Sequence, residues 1–208
     1  MATTRPKVYL RSNTVISAIL PTVALGAERS RMRLRTTYRL PKSTASKSLG
    51  GSLATILGAY RVMCELCLPD TPRIEYTDTG DISFEASSYL SRNGAHIQDA
   101  FRKVGSFVYL LSFDRKASGL PDFASLRGMC DFYREKVVRC KVNSARAIED
   151  TPAETVAKME GEYRLCVAEG ASDILGKHFD GLIVESSEPL NIGIPLGKIA
   201  PNGENQPL

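Results

Sequence analysis

From Arg31 to Leu40 the chain alternates. Arg31, Arg33, Arg35, Thr37 and Arg39 hold the odd positions, and Met32, Leu34, Thr36, Tyr38 and Leu40 hold the even ones. Successive side chains leave a strand on opposite faces, so a period of two predicts a strand with one apolar and one cationic face. Arg29 continues the cationic row at its N-terminal end. Upstream, VYLRS (8–12) and NTVISAIL (13–20) are rich in β-branched residues and predict two more strands of a small sheet. Downstream, RIEYTDTGDISFEAS (73–87) predicts a hairpin turning at Thr79-Gly80-Asp81.

The period then changes. Leu49, Leu53, Ile56, Leu57, Tyr60, Met63, Cys64 and Cys67 define an amphipathic helix from about Ser48, stopped by Pro69. Ile97, Phe101, Val104, Val108 and Leu111 follow at spacings of three and four and predict a second helix. A third begins near Pro121, with Leu126, Cys130, Tyr133, Val137 and Cys140 on its apolar face. Thr151-Pro152-Ala153-Glu154 is a capping box with proline at the first helical position. The face of that fourth helix is Val156, Met159, Tyr163 and Cys166, and Gly170 is its expected end.

GLIVES (181–186) is a short closing strand, and beyond it Pro189, Pro195, Pro201 and Pro207 recur among Gly193, Gly197 and Gly203. The expected fold is α+β: a small N-terminal antiparallel sheet with a hairpin, packed by about four amphipathic helices, in one domain over residues 1–186. Residues 187–208 are expected to form an extended or disordered Pro/Gly-rich arm, whose alternating apolar residues suit docking on its own body or on a second copy.

Charge sharpens this picture. Residues 1–47 hold ten Lys/Arg and one acid, a net of +9, whereas the rest hold 17 Lys/Arg and 22 acids, a net of −5. A basic region on a mildly acidic body suits contact with a polyanion. Along a strand, neighbouring arginines of one face stand about 6.7 Å apart, and the guanidinium fork can donate two hydrogen bonds to one phosphate. Arg29, Arg31, Arg33, Arg35 and Arg39, with Lys42 and Lys47 in the following segment, are therefore the candidate polyanion-binding residues. RNA, nucleoprotein or an anionic membrane surface would each satisfy them. The alternative reading is an edge strand whose charges block aggregation.

Other chemistry is sparse. The five cysteines are an odd number, which suits reduced thiols in an intracellular protein rather than a secreted disulfide framework. Cys64-Glu65-Leu66-Cys67 lies at the C-terminal end of its helix, the wrong end for thiolate stabilisation, and reads as core thiols. Arg5, Lys7 and Arg11 before TVISAILPTVALGA imitate a secretory signal, but Pro21 interrupts the run. Asp78-Thr79-Gly80 matches the active-site triplet of retroviral-type aspartic proteases, which would pair two Asp78 carboxylates in a dimer; a hairpin turn explains it more simply. No metal or cofactor motif is present, and the two histidines, His96 and His178, give no triad.

TGDISFEASSY (79–89) and DAFRKVGSFVYLLSFDRKASG (99–119), preceded by the basic strand, resemble rhabdovirus matrix proteins over about residues 31–120. The resemblance implies a non-enzymatic, self-associating structural protein that bridges a ribonucleoprotein to anionic membrane, without a cofactor. Its alternatives are an RNA-binding accessory protein such as a silencing suppressor, and the aspartic protease using Asp78.

Overall fold

The structure, a computed structural model, describes residues 8–41, 46–77, 81–88 and 97–202. It is α+β, built around a three-stranded and a five-stranded sheet. The first described element is helix α1 (Val8–Ala24), where two strands were expected. Val15, Ile16, Ile19, Leu20 and Val23 are buried, at helical spacing, so one stripe enters the core despite the β-branched composition. A 3-10 turn at Arg29–Arg31 leads into β1 (Met32–Pro41). Helix α2 (Ser46–Leu66) follows, then β2 (Asp70–Thr77) and β3 (Asp81–Ser88).

The expected hairpin is absent from this sheet. β2 and β3 do not pair with each other; β1 lies between them, parallel to β2 and antiparallel to β3. Its even residues Met32, Leu34, Thr36 and Tyr38 are buried towards the helices, and Arg31, Arg33 and Arg35 are exposed.

The five-stranded sheet comprises β4 (Phe107–Ser112), β5 (Val142–Ala147), β6 (Tyr163–Val167), β7 (Gly181–Ser186) and β8 (Ile194–Pro201). Its order is β5-β7-β4-β8-β6, with antiparallel pairing throughout. β4 and the loop before it replace the expected second helix. Gly105, at φ +80°, departs from helical backbone just before the strand, and Val108 to Leu111 are buried consecutively because both faces of β4 are covered.

Helices α3 (Phe123–Val138) and α4 (Pro152–Met159) begin where their caps predict. Asp122 accepts hydrogen bonds from the Ala124 and Ser125 amides at 2.9 and 3.2 Å, and Thr151 accepts from Glu154. α4 is shorter than expected: Tyr163 and Cys166 belong to β6. A single turn, α5 (Ser172–Leu175), precedes β7.

The expected C-terminal arm is instead β8, an interior strand between β4 and β6, with Leu196 and Ile199 buried. One core cluster joins α1, α2, α3 and β1 to the α1/α3 face of the large sheet. The other fills the opposite face beneath α4. Tyr133 ties α3 to α1: its hydroxyl donates to the Ala24 carbonyl at 2.5 Å. Burial pushes this phenol well above its ordinary pKa, so it stays a donor.

Candidate functional site

The arginine row divides once its surroundings are fixed. Arg29 turns inward, donating from Nη1 to the Leu66 carbonyl at 2.8 Å, with Nε 3.5 Å from Asp131; it fastens β1 to the end of α2. Arg31 pairs with Glu28 at 3.2 Å, and half-buried Arg39 pairs with Glu75 at 3.3 Å. Glu75 also meets Arg73 at 3.0 Å. The register places Arg33 opposite Ser87, and Arg35 between Thr71 and Glu85. Thr37 lies between Arg73 and Ser83, and Arg39 between Glu75 and Asp81.

The outward face thus exposes Arg31, Arg33 and Arg35 at one end, and at the other end Glu75 pairs with both Arg39 and Arg73. Lys42 and Asp78 lie outside the described residues, as does the side chain of Lys47.

A second feature had been overlooked in the sequence. Glu185 stands in the apolar run of β7 and is fully buried. Its Oε2 accepts from the Arg102 amide at 2.9 Å and from Ser144 Oγ at 2.7 Å. Its Oε1 accepts from the Lys103 amide at 3.0 Å and from Asn143 Nδ2 at 3.3 Å. The carboxylate therefore clamps the loop before β4 onto the sheet, holding the side chains of Arg102 and Lys103 outward. A lone acid between Val184 and Ser186 is the sequence signal that could have marked it.

The cysteines also depart from expectation. Cys64 and Cys67 are exposed, whereas Cys130 is buried and its thiol is pushed up to about 12 by burial and then by Asp131. The buried face of α2 is Ala59, Val62, Met63 and Leu66, so Leu57, Tyr60 and Cys64 look outward. His178 is exposed, with Nδ1 3.1 Å from Asp150, and His96 lies outside the described residues. Among the described residues no group of three His, Cys, Asp or Glu side chains is placed to hold a metal ion. None of the described helices is long and apolar enough to cross a membrane.

A cavity of about 430 Å³ opens between α3, the end of β4 and residues 192–194.

Neither a protein-family model nor a curated protein sequence matches the chain. Solved structures do match. Thiamine monophosphate kinase from Aquifex aeolicus is similar over 98% of this chain and 82% of its own, with a TM-score of 0.60 at 10% identity. The same enzyme from Stenotrophomonas maltophilia K279a is similar over 94% of this chain and 77% of its own, with a TM-score of 0.59 at 10% identity. Thermotoga maritima PurL complexed with ATP is similar over 94% of this chain, with a TM-score of 0.65 at 11% identity. This chain spans only 38% of that PurL.

At these identities the likeness establishes the fold, one shared with thiamine monophosphate kinase and PurL, and nothing finer. It overturns the rhabdovirus matrix resemblance and, with it, the expectation of a non-enzymatic virion protein, because the fold is one built into kinases and synthases. The matrix resemblance rested in part on a hairpin ending near residue 89 and a helix over 99–119; among the described residues β3 pairs with β1 and residues 107–112 form β4.

Proposed function

We propose that the chain is an enzyme-type protein that binds a nucleoside triphosphate, with Arg33 and Arg35 receiving the polyphosphate. The observation that carries the reading is the fold, which matches the kinases over nearly the whole of this chain and has been captured in PurL with ATP. The exposed cationic end of β1 supports it. Arg33 and Arg35 point the same way about 6.7 Å apart, a span comparable with a triphosphate chain, on a strand held rigidly by its buried face. Two guanidinium forks can contact successive phosphates there, with Thr71 and Ser87 at flanking register positions. In this reading the polyanion anticipated from the basic strand is a nucleotide.

Thermal shift and calorimetry with ATP and its non-hydrolysable analogue AMPPCP, with and without magnesium, test it. A nucleotide at a hundredfold excess over its Kd should stabilise the fold by about 2.7 kcal/mol. Arg33→Gln/Arg35→Gln should weaken ATP binding at least about tenfold, since a hydrogen bond to a charged group contributes about 1.5–3 kcal/mol. An unchanged melting temperature at millimolar ATP would sink the proposal. Wild-type affinity in the double variant would move the site off this strand.

A further inference from the structure

The cavity beside α3 is a second place where the chain has kept room that packing would normally fill. Its walls are Leu111, Ile194 and Gly193 on the sheet side and Met129 and Phe132 on the helix side, with Gly128 between them. Glycine inside a helix costs about 1 kcal/mol relative to alanine, yet a Cβ at Gly128 would meet no atom within 4 Å. The residue leaves space and gains no contact. Opposite, Gly193 holds φ +102°, and a Cβ there would come within 2.6 Å of Leu111 Cδ2. Its loop can lie against β4 only as glycine.

We propose that this slot binds a small, neutral, flat aromatic molecule with a hydrogen-bond acceptor. The volume of about 430 Å³ lies within the range of small-molecule sites. Aromatic character follows from the Phe132 ring and the Met129 thioether, both of which favour π partners.

Neutrality follows from the lining, which contains no charged side chain, and the Lys136 ammonium over the Phe132 ring is itself paired with Glu135 at 3.7 Å. Two hydroxyls, Ser112 and Ser125, supply the polar wall. Ser125 Oγ accepts from the Asp114 amide at 3.0 Å, which orients it and leaves its hydrogen to donate. This site shares no residue with the arginine strand, so it stands whether or not the chain binds a nucleotide.

Quinoline is a suitable probe: two fused rings, one acceptor nitrogen, and no charge at neutral pH. Ligand-detected NMR on the full chain should show quinoline binding with a Kd of about 0.1–1 mM. The anionic 2-naphthoate, of similar shape, should bind at least about tenfold more weakly. Gly128→Leu should fill the slot and abolish quinoline binding while circular dichroism stays native. As a second variant, Ile192→Glu alters a rim residue that is 53% exposed, so it should fold normally and weaken quinoline by at least about threefold. No quinoline binding to the wild type, equal binding by Gly128→Leu, or naphthoate binding as tightly as quinoline would each overturn the proposal.

Discussion

β1 is the middle strand of its sheet and β7 an interior strand of the other, yet they are written in opposite styles. β1 alternates, burying Met32, Leu34, Thr36 and Tyr38 and exposing Arg31, Arg33 and Arg35. β7 is buried at all six positions from Gly181 to Ser186, because helices cover both faces of the larger sheet. A strand covered twice can only hold the molecule together; a strand covered once has a face to spare. The charges show the same contrast. Glu185 on β7 is saturated by four donors from the protein itself, whereas Arg33 and Arg35 on β1 point outward.

The largest effect should come from the buried acid. Glu185→Ala strands the Arg102 and Lys103 backbone amides and the Ser144 hydroxyl without their acceptor, while Asn143 keeps its bond to Ser106. Each unsatisfied buried group costs about 1–3 kcal/mol, so the loss should reach at least about 3 kcal/mol in urea unfolding. Glu185→Gln keeps one carbonyl oxygen but sets an NH2 against donors, and should cost an intermediate amount. A loss below about 1 kcal/mol for the alanine variant would mean that the clamp is ornamental and that the contrast with β1 is overstated.

Tyr133→Phe tests whether the two sheets unfold together. It removes one buried hydrogen bond to Ala24 across the α1–α3 junction and should cost about 1–2 kcal/mol. Fluorescence and circular dichroism should still report one coincident transition. Separate transitions would show two independently stable regions in place of one joined core.

The contrast between the two strands also explains what could be read in the sequence. β1 was legible because its two faces meet different surroundings, α3 from its helical spacing after Pro121, and α4 from the capping box at Thr151. β8 was not, because Gly193, Gly197, Pro195 and Pro201 read as breakers. Pro195 lies opposite Tyr109 at a register irregularity and Pro201 ends the strand, positions where a missing amide donor is tolerated. The false helix over 97–111 arose because a loop contributing Ile97 and Phe101 precedes a doubly buried strand, and together they imitate spacings of three and four. α1 carried a legible helical stripe that β-branched composition obscured. Of the candidate site, the arginine face was visible in advance, although Arg29 was misplaced within it. The cavity was not, since it is assembled from three distant segments and Gly128 carries no local signal.

A smaller effect concerns pH. Hydrogen bonds from the Ser125 and Ala124 amides hold the Asp122 carboxyl below the usual carboxylate range. A folded-state pKa below the unfolded one contributes stability that is present above the unfolded value and is lost as pH falls through the folded one. Asp122→Asn should retain the cap by supplying a carbonyl oxygen. The acid limb of the stability–pH curve, below about pH 4, should become shallower. An identical acid limb in the variant would show that other carboxylates set it.

The smallest effect on stability should come from the residues with the largest proposed role. Arg33 and Arg35 lie on the exposed face of β1, and exposed substitutions away from caps and cores usually stay within about 0.5 kcal/mol. A cross-strand pair of charged side chains contributes roughly 0.2–1 kcal/mol, which bounds what the loss of either arginine can cost. Replacing Arg33 and Arg35 by Gln also removes like-charge repulsion along the row, which offsets part of that loss. The double variant should therefore melt within about 2–4 °C of the wild type even if 1 kcal/mol is lost, while its ATP affinity falls at least about tenfold. If stability drops as far as in Glu185→Ala, β1 is using its arginines as β7 uses its acid, to hold the fold. The two strands would then differ in appearance and not in purpose.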